Sequence, residues 1–244
     1  MFRVLRAYPI VGRPLLKMLT LFPALQKARQ KHTQYTREKT ARRLDDVETT
    51  REDIMSHVLR HNDERGMSRE EITKTSGTVI MAGSETSATL LSGALFFLLA
   101  NSRWLAALQD EIRQLDEAEL SFVSLAKRKV LNAVIQETFR MYPPVPTILP
   151  RLTPSEGAIV DGVWIPGNIS VGVAQYAANR SSLNFTDADT FAPERWMDHS
   201  RYEGDALGAV QPFSAGPRNC LGQVRLGFSF LPWVISRYNA RGTS

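Results

Sequence analysis

Apolar positions recur at helical spacing through most of the first 142 residues and then give way to short β-type runs. Residues 15–45 read as one or two helices, apolar at first and then basic, and 51–62 as a short helix starting near Thr50. After a loop around Gly66, Ser68 followed by Glu71 is a capping-box signature. The helix it opens, SREEITKTSGTVIMAGSETSATLLSGALFFLLA, runs to about Ala100 and is the most hydrophobic in the chain. Residues 102–117 and Lys129–Tyr142 are amphipathic helices, the second stopped by Pro143 and Pro144. From Ile148 come ILPRL, then AIVDGVWIP with a hairpin signal at Asp161 and Gly162, then ISVGVAQ. An irregular, Pro-containing segment runs from Asn179 to Gly216. With no repeat, low-complexity tract or Gly/Ser linker, the expectation is one domain over 1–244, mainly α with small β-sheets.

The long apolar helix has two readings. A spanning helix needs ~20 mostly apolar residues, and Gly77 to Ala100 nearly supplies them. Glu85 and Thr86 stand mid-segment, where a charge facing lipid costs at least ~2.5 kcal/mol. Helices apolar on all sides also run through the centre of large soluble domains, and a buried central helix is the preferred expectation.

Composition narrows the classes. The chain has 244 residues, 43% of them hydrophobic, and a formal net charge of +5, dispersed enough to argue against nucleic-acid binding. The densest basic stretch, Lys27 to Arg43, reads as a solvated helix face, with electron-donor docking a lesser alternative. Pro9, Gly12, Arg13 and Pro14 interrupt the apolar N-terminus, so no signal h-region or spanning helix fits there. Asn168, Asn179 and Asn184 each begin an N-x-Ser/Thr triplet, which matters only in a secretory lumen. His57 and His61 stand four apart as zinc-binding pairs do, but Val58 occupies the place of the zincin glutamate and no third ligand is evident.

The chemistry concentrates near the C-terminus. Phe213 to Gly222 reads FSAGPRNCLG and contains Cys220, the single cysteine of the chain, in a Gly-rich turn after Arg218. One cysteine makes no internal disulfide, and such a turn presents its sulfur outward. With Phe213, Gly216, Arg218, Cys220 and Gly222 in register, the stretch resembles the haem-binding loop of the cytochrome P-450 family. The resemblance implies a haem b cofactor (iron protoporphyrin IX) with Cys220 as axial iron ligand, Arg218 on a propionate and Phe213 beside the thiolate. Thiolate ligation pushes electron density that favours O–O cleavage, and Gly216 and Gly222 let amide donors approach and tune the sulfur.

Further motifs follow the family's order. AGSETS, Ala82 to Ser87, is similar to its oxygen-activating stretch, where Gly83 permits local opening and Glu85 and Thr86 would manage protons. ETFR, Glu137 to Arg140, is similar to its Glu-x-x-Arg pair, and FAPERW, Phe191 to Trp196, to its Pro-Glu-Arg box. Arg195 would join Glu137 and Arg140 in a buried network. In PPVPTILPR, Arg151 matches a propionate-binding arginine, with Val145, Pro146, Ile148 and Leu149 as pocket walls.

The resemblance therefore implies a partial cytochrome P-450 fold, the C-terminal half, with a long central helix over a haem-binding cysteine loop. It implies an oxidoreductase that monooxygenates a small apolar substrate with dioxygen and electrons from an NADPH-dependent reductase. It also implies secondary metabolism and, in the full-length family, membrane association on the cytosolic face of the endoplasmic reticulum. Residues 1–223 are family-like. From 224 to 244 the tail diverges: Leu226 takes the place of an expected Ala, and Pro232 would break the expected helix. A truncated start at Met1 and a read-through end after Gln223 are expected, so a non-catalytic remnant is the alternative reading.

Overall fold

Seven helices are described along the chain: α1 Pro23–Asp45, α2 Ile54–Arg60, α3 Arg69–Ala100, α4 Ser102–Arg113, α5 Phe122–Leu125, α6 Lys129–Met141 and α7 Gln175–Asn179. Four short strands, β1 Arg151–Leu152, β2 Ala158–Val160, β3 Val163–Ile165 and β4 Ser170–Val171, lie between α6 and α7, and 3-10 turns occupy Pro193–Trp196, Ser200–Tyr202 and Leu207–Ala209. The structure, a computed structural model, describes residues 21–46, 53–60, 66–116 and 119–223, with Pro14, Met18 and Asn62 as single positions. His61 and the 224–244 tail lie outside these residues. The chain comprises two compact units, 1–84 and 85–244, which divide within α3.

In the first unit α1 meets the start of α3 where Gly77 leaves room for Thr36: a Cβ at 77 would lie 3.1 Å from the Thr36 methyl. Arg43 closes the end of α1 onto α2 by donating to the Asp53 carboxylate at 2.9 Å and to Ser56 Oγ at 2.8 Å. Arg43 holds the Asp53 carboxyl well below the usual carboxylate range, and the Ser56 amide and hydroxyl assist. The capping box forms as spelled: Ser68 N–H and Oγ donate to Glu71 Oε2 at 2.9 and 2.7 Å, and Glu71 N–H returns to Ser68 Oγ at 3.3 Å.

The second unit is organised by α6. Phe139 lies in one apolar cluster with Leu90, Phe185, Ala188 and Val210; Val134 and Met141 lie in another with Leu98, Trp104 and Phe191; Leu131 packs on Leu125. Its first turn has no side-chain cap of its own, since Arg128 stands at the N-cap. Glu111 of α4 serves instead, accepting from the amides of Val130 and Leu131 at 3.0 and 2.9 Å. Helix α4 ends at Arg113, four residues before the sequence expectation, because the chain turns there and Glu119 accepts from the Asp116 amide.

The strands form two antiparallel pairs, β1 with β4 and β2 with β3. The β2–β3 turn puts both Asp161 and Gly162 at positive φ, 49° and 75°, which is the type I′ geometry that the Asp-Gly pair signals.

Helix α3 corrects the expectation of a buried central helix. Leu90, Gly93 and Leu98 are buried on one side, but Leu95, Phe96 and Leu99 are exposed at 57%, 67% and 67%. Apolarity on all sides fixes what the helix offers for burial, not what covers it. Among the described residues it is the one helix long and apolar enough to cross a membrane.

Candidate functional site

The loop that carries Cys220 is closed on itself. Cys220 N–H donates to the Phe213 carbonyl at 2.9 Å and Asn219 N–H to the Gly216 carbonyl at 3.0 Å. Gly216 at φ 79° makes the reversal with no strain, and Ser214 sits at φ 61°. Gly222 N–H lies 3.3 Å from Cys220 Sγ, a backbone donor aimed at the sulfur. The cysteine is free and exposed, so the loop offers a sulfur with an amide donor already beside it. That donor set fits a thiolate bound to a soft or borderline iron centre.

Phe213 ties the loop to the core. Its ring packs edge-on to Phe139, with centroids 5.4 Å apart and planes at 69°, beside the cluster of Leu90, Phe185 and Val210. Phe139 stands between Glu137 and Arg140 on α6, so the loop rests on the helix that carries the principal buried charges.

Glu137, Arg140 and Arg195 come together in one buried cluster. Glu137 Oε1 accepts from Arg140 Nη2 at 2.8 Å, Arg195 Nε at 3.2 Å and the Ala192 amide at 2.9 Å. Its Oε2 accepts from Arg140 Nε and Trp196 Nε1, both at 2.9 Å. Arg195 also pairs with the buried Asp205, so two carboxylates balance two guanidiniums. Arg140 spends its remaining donors on the carbonyls of Asn179, Ala188 and Thr190 at 2.8, 2.5 and 2.9 Å. Aromatic rings shield the pair: the Arg195 guanidinium carbon lies 4.5 Å from the Tyr202 centroid and that of Arg140 5.2 Å from Phe185. Burial pushes the Tyr202 phenol above its ordinary range.

The remaining candidates stand apart from this cluster. Glu85 is exposed and Thr86 half-buried on α3, which runs helically through AGSETS without a break. Thr86 is one turn before Leu90 on the same face, and Leu90 belongs to the cluster on which Phe213 packs. A Cβ at Gly83 would meet nothing within 4 Å. Arg151 and Arg218 are both exposed, Arg151 on β1 opposite Val171, and neither pairs with a carboxylate among the described residues. Of the proposed pocket walls, Ile148 is half-buried and Val145, Pro146 and Leu149 are exposed.

Sequence reasoning passed over four residues of the cluster: Trp196, Asp205, Asn179 and Gln175. Asn179, which the sequence marks as the start of an N-x-Ser/Thr triplet, is fully buried. Trp196 is legible as the last residue of PERW; Gln175 and Asn179 are linked to each other at i,i+4, but the bonds that join them to the cluster reach residues 34 to 40 positions away.

Comparison with known proteins agrees with the geometry. The family model described as Cytochrome P450 matches residues 1–231. The cytochrome P450 monooxygenase aclL of Aspergillus oryzae is 47% identical over 202 residues, covering 82% of this chain and 41% of that protein. The monooxygenase astJ of the same species is 40% identical over 96% of this chain and 47% of its own length. Averantin hydroxylase of Aspergillus parasiticus is 40% identical over 89% of this chain and 44% of its own length. The chain thus spans less than half the length of these relatives. A sulfur-presenting loop seated on a buried Glu-x-x-Arg helix, in a mainly helical chain matched over nearly all its residues, makes this chain a member of the cytochrome P450 family.

Proposed function

We propose that the chain contributes the haem-thiolate centre of a monooxygenase that hydroxylates a small, largely apolar organic substrate. The observation that carries the reading is the closed loop in which Gly222 N–H is directed at Cys220 Sγ. Cys220 would hold the iron of haem b, with the propionates on Arg218 and Arg151, whose guanidiniums are exposed. Bound haem supplies the redox chemistry that activates dioxygen. Phe213 seats the loop on α6 beside the sulfur-bearing turn, and the Gly222 amide lies beside the sulfur as a donor in the turn itself.

Overall, a C–H bond, dioxygen, two electrons and two protons become an alcohol and water. Glu85, exposed on α3, would exchange protons with solvent, and the neighbouring Thr86 hydroxyl would hand them on to the oxygen-binding side. The electrons come from an NADPH-dependent reductase, and the site of action is the cytosolic face of the endoplasmic reticulum membrane. Hydroxylation as the reaction type draws on the names of two relatives, averantin hydroxylase and fusicoccadiene 8-ol C-16 hydroxylase. A second reading, a folded but non-catalytic member, draws on the exposed apolar side of α3 at Leu95, Phe96 and Leu99.

The test is to express the chain with haem, reduce it and add carbon monoxide. The proposal expects the Soret shift characteristic of thiolate ligation, absent in Cys220→Ala. No shift, with Cys220→Ala indistinguishable from the parent, overturns it. A shift without turnover supports the non-catalytic reading.

A further inference from the structure

We propose that Gln175 and Asn179 are positioning residues that tether the Cys220 loop to the C-terminal end of α6, so that the buried ion-pair helix sets where the sulfur sits. The inference rests on the reading of Cys220 as an iron ligand. It adds two residues that none of the family-like motifs contains. Helix α6 ends at Met141, which leaves its last carbonyls without intrahelical partners. Asn179 Nδ2 donates to the carbonyls of Arg140 and Phe139, at 3.1 and 3.4 Å, while the Asn179 backbone carbonyl accepts from Arg140 Nη1 at 2.8 Å. Side chain and backbone of one residue therefore hold both the end of the helix and its buried guanidinium.

The side-chain oxygen of Asn179 carries the connection outward. Gln175 Nε2 donates to Asn179 Oδ1 at 2.6 Å and to the carbonyl of Ala209 at 3.0 Å. Ala209 precedes Val210, a core residue of the Phe139 cluster, and three residues later Phe213 begins the loop and accepts from the Cys220 amide. Two tethers thus run from α6 to the same segment, an apolar one from Phe139 to Phe213 and a polar one from Arg140 through Asn179 and Gln175 to Ala209. Only an amide suits position 179, because it must donate to carbonyls and accept from Gln175 at once. An aspartate there would face two carbonyl oxygens with a negative charge.

The variant that tests the tether is Gln175→Met, which keeps length and helix propensity, removes the donor and adds no charge. Gln175→Glu is the second variant, nearly isosteric but unable when ionised to donate to Ala209. Hydrogen exchange on the haem-free chain reads the tether directly. Of the two hydrogen bonds that Gln175→Met removes, the one to Ala209 holds the segment, and its loss predicts roughly fivefold faster exchange at the bonded amides of Val210, Ser214 and Cys220, with α4 and α6 unchanged. With haem, reduced and treated with carbon monoxide, both variants should show a smaller thiolate-type fraction at unchanged helix content. A purely structural role would lower the melting temperature and leave that fraction unchanged. Unaltered exchange between 206 and 220 in the folded variants, or an unchanged thiolate fraction, overturns the proposal. If the parent gives no thiolate signature, the ligand reading falls and the proposal with it, while exchange still shows whether Gln175 holds the segment.

Discussion

Replacing Glu137 by glutamine should be among the most destabilising isosteric changes in the second unit. The carboxylate accepts five hydrogen bonds, two of them from Arg140 and one each from Arg195, Trp196 Nε1 and the Ala192 amide, and it is fully buried. Glutamine keeps the shape but offers a single acceptor oxygen, and its NH₂ then points at donors. With Asp205 paired to Arg195 as the remaining carboxylate, Arg140 would be left as one uncompensated buried positive charge. Breaking a buried pair by removing one partner costs about 3–5 kcal/mol, against a net stability of about 5–15 kcal/mol. With a urea dependence of about 2 kcal/mol per molar, the unfolding midpoint should fall by roughly 1.5–2.5 M. Equilibrium urea unfolding, followed by circular dichroism and tryptophan fluorescence, measures this. Trp196→Phe, which removes one donor and no charge, serves as the control and should cost about 1 kcal/mol. A Glu137→Gln midpoint within ~0.5 M of the parent would refute the reasoning, since the carboxylate would then be worth no more than one ordinary hydrogen bond.

Glu111→Ala leaves the Val130 and Leu131 amides without their partner and should cost about 1–2 kcal/mol, read as earlier loss of α6 in hydrogen exchange. The Arg43–Asp53 contact should impose an acid limit on the α1–α2 junction. Because the folded carboxyl is depressed, its stabilisation is complete above about pH 4 and is lost as pH falls further toward the folded value. Asp53→Asn should flatten that acid transition in circular dichroism, and an unchanged transition would count against the pair. Arg218→Ala should weaken haem binding by roughly two- to fivefold in a spectroscopic titration, the range for an exposed ionic contact, and leave the thiolate signature of the bound fraction intact.

What the sequence displays locally, the structure realises locally. Ser68 and Glu71 are three residues apart and form their box; Asp161-Gly162 supplies the two positive φ values that a tight hairpin requires; Pro143 and Pro144 stop α6. Glu137 and Arg140 lie on one face of one helix, so their pairing was readable from spacing, whereas Arg195 was reachable only through resemblance. Beyond their own i,i+4 bond, Asn179 and Gln175 are hidden in the sequence because their distant partners are carbonyls at positions 139, 140 and 209, and a carbonyl is the same whatever residue bears it. Asp205 is a lone acid in a loop until the fold sets it against Arg195. The exposure of α3 was unreadable for another reason: burial is a property of the pair of surfaces, and the helix sequence specifies one of them.

The central claim is that Cys220 Sγ is presented for iron by its loop. X-ray absorption at the iron edge of the haem-loaded chain tests it most directly. The account predicts a sulfur scatterer in the first coordination shell of the parent and its loss in Cys220→Ala. Nitrogen and oxygen scatterers alone in the parent, or a sulfur that persists in Cys220→Ala, would contradict it.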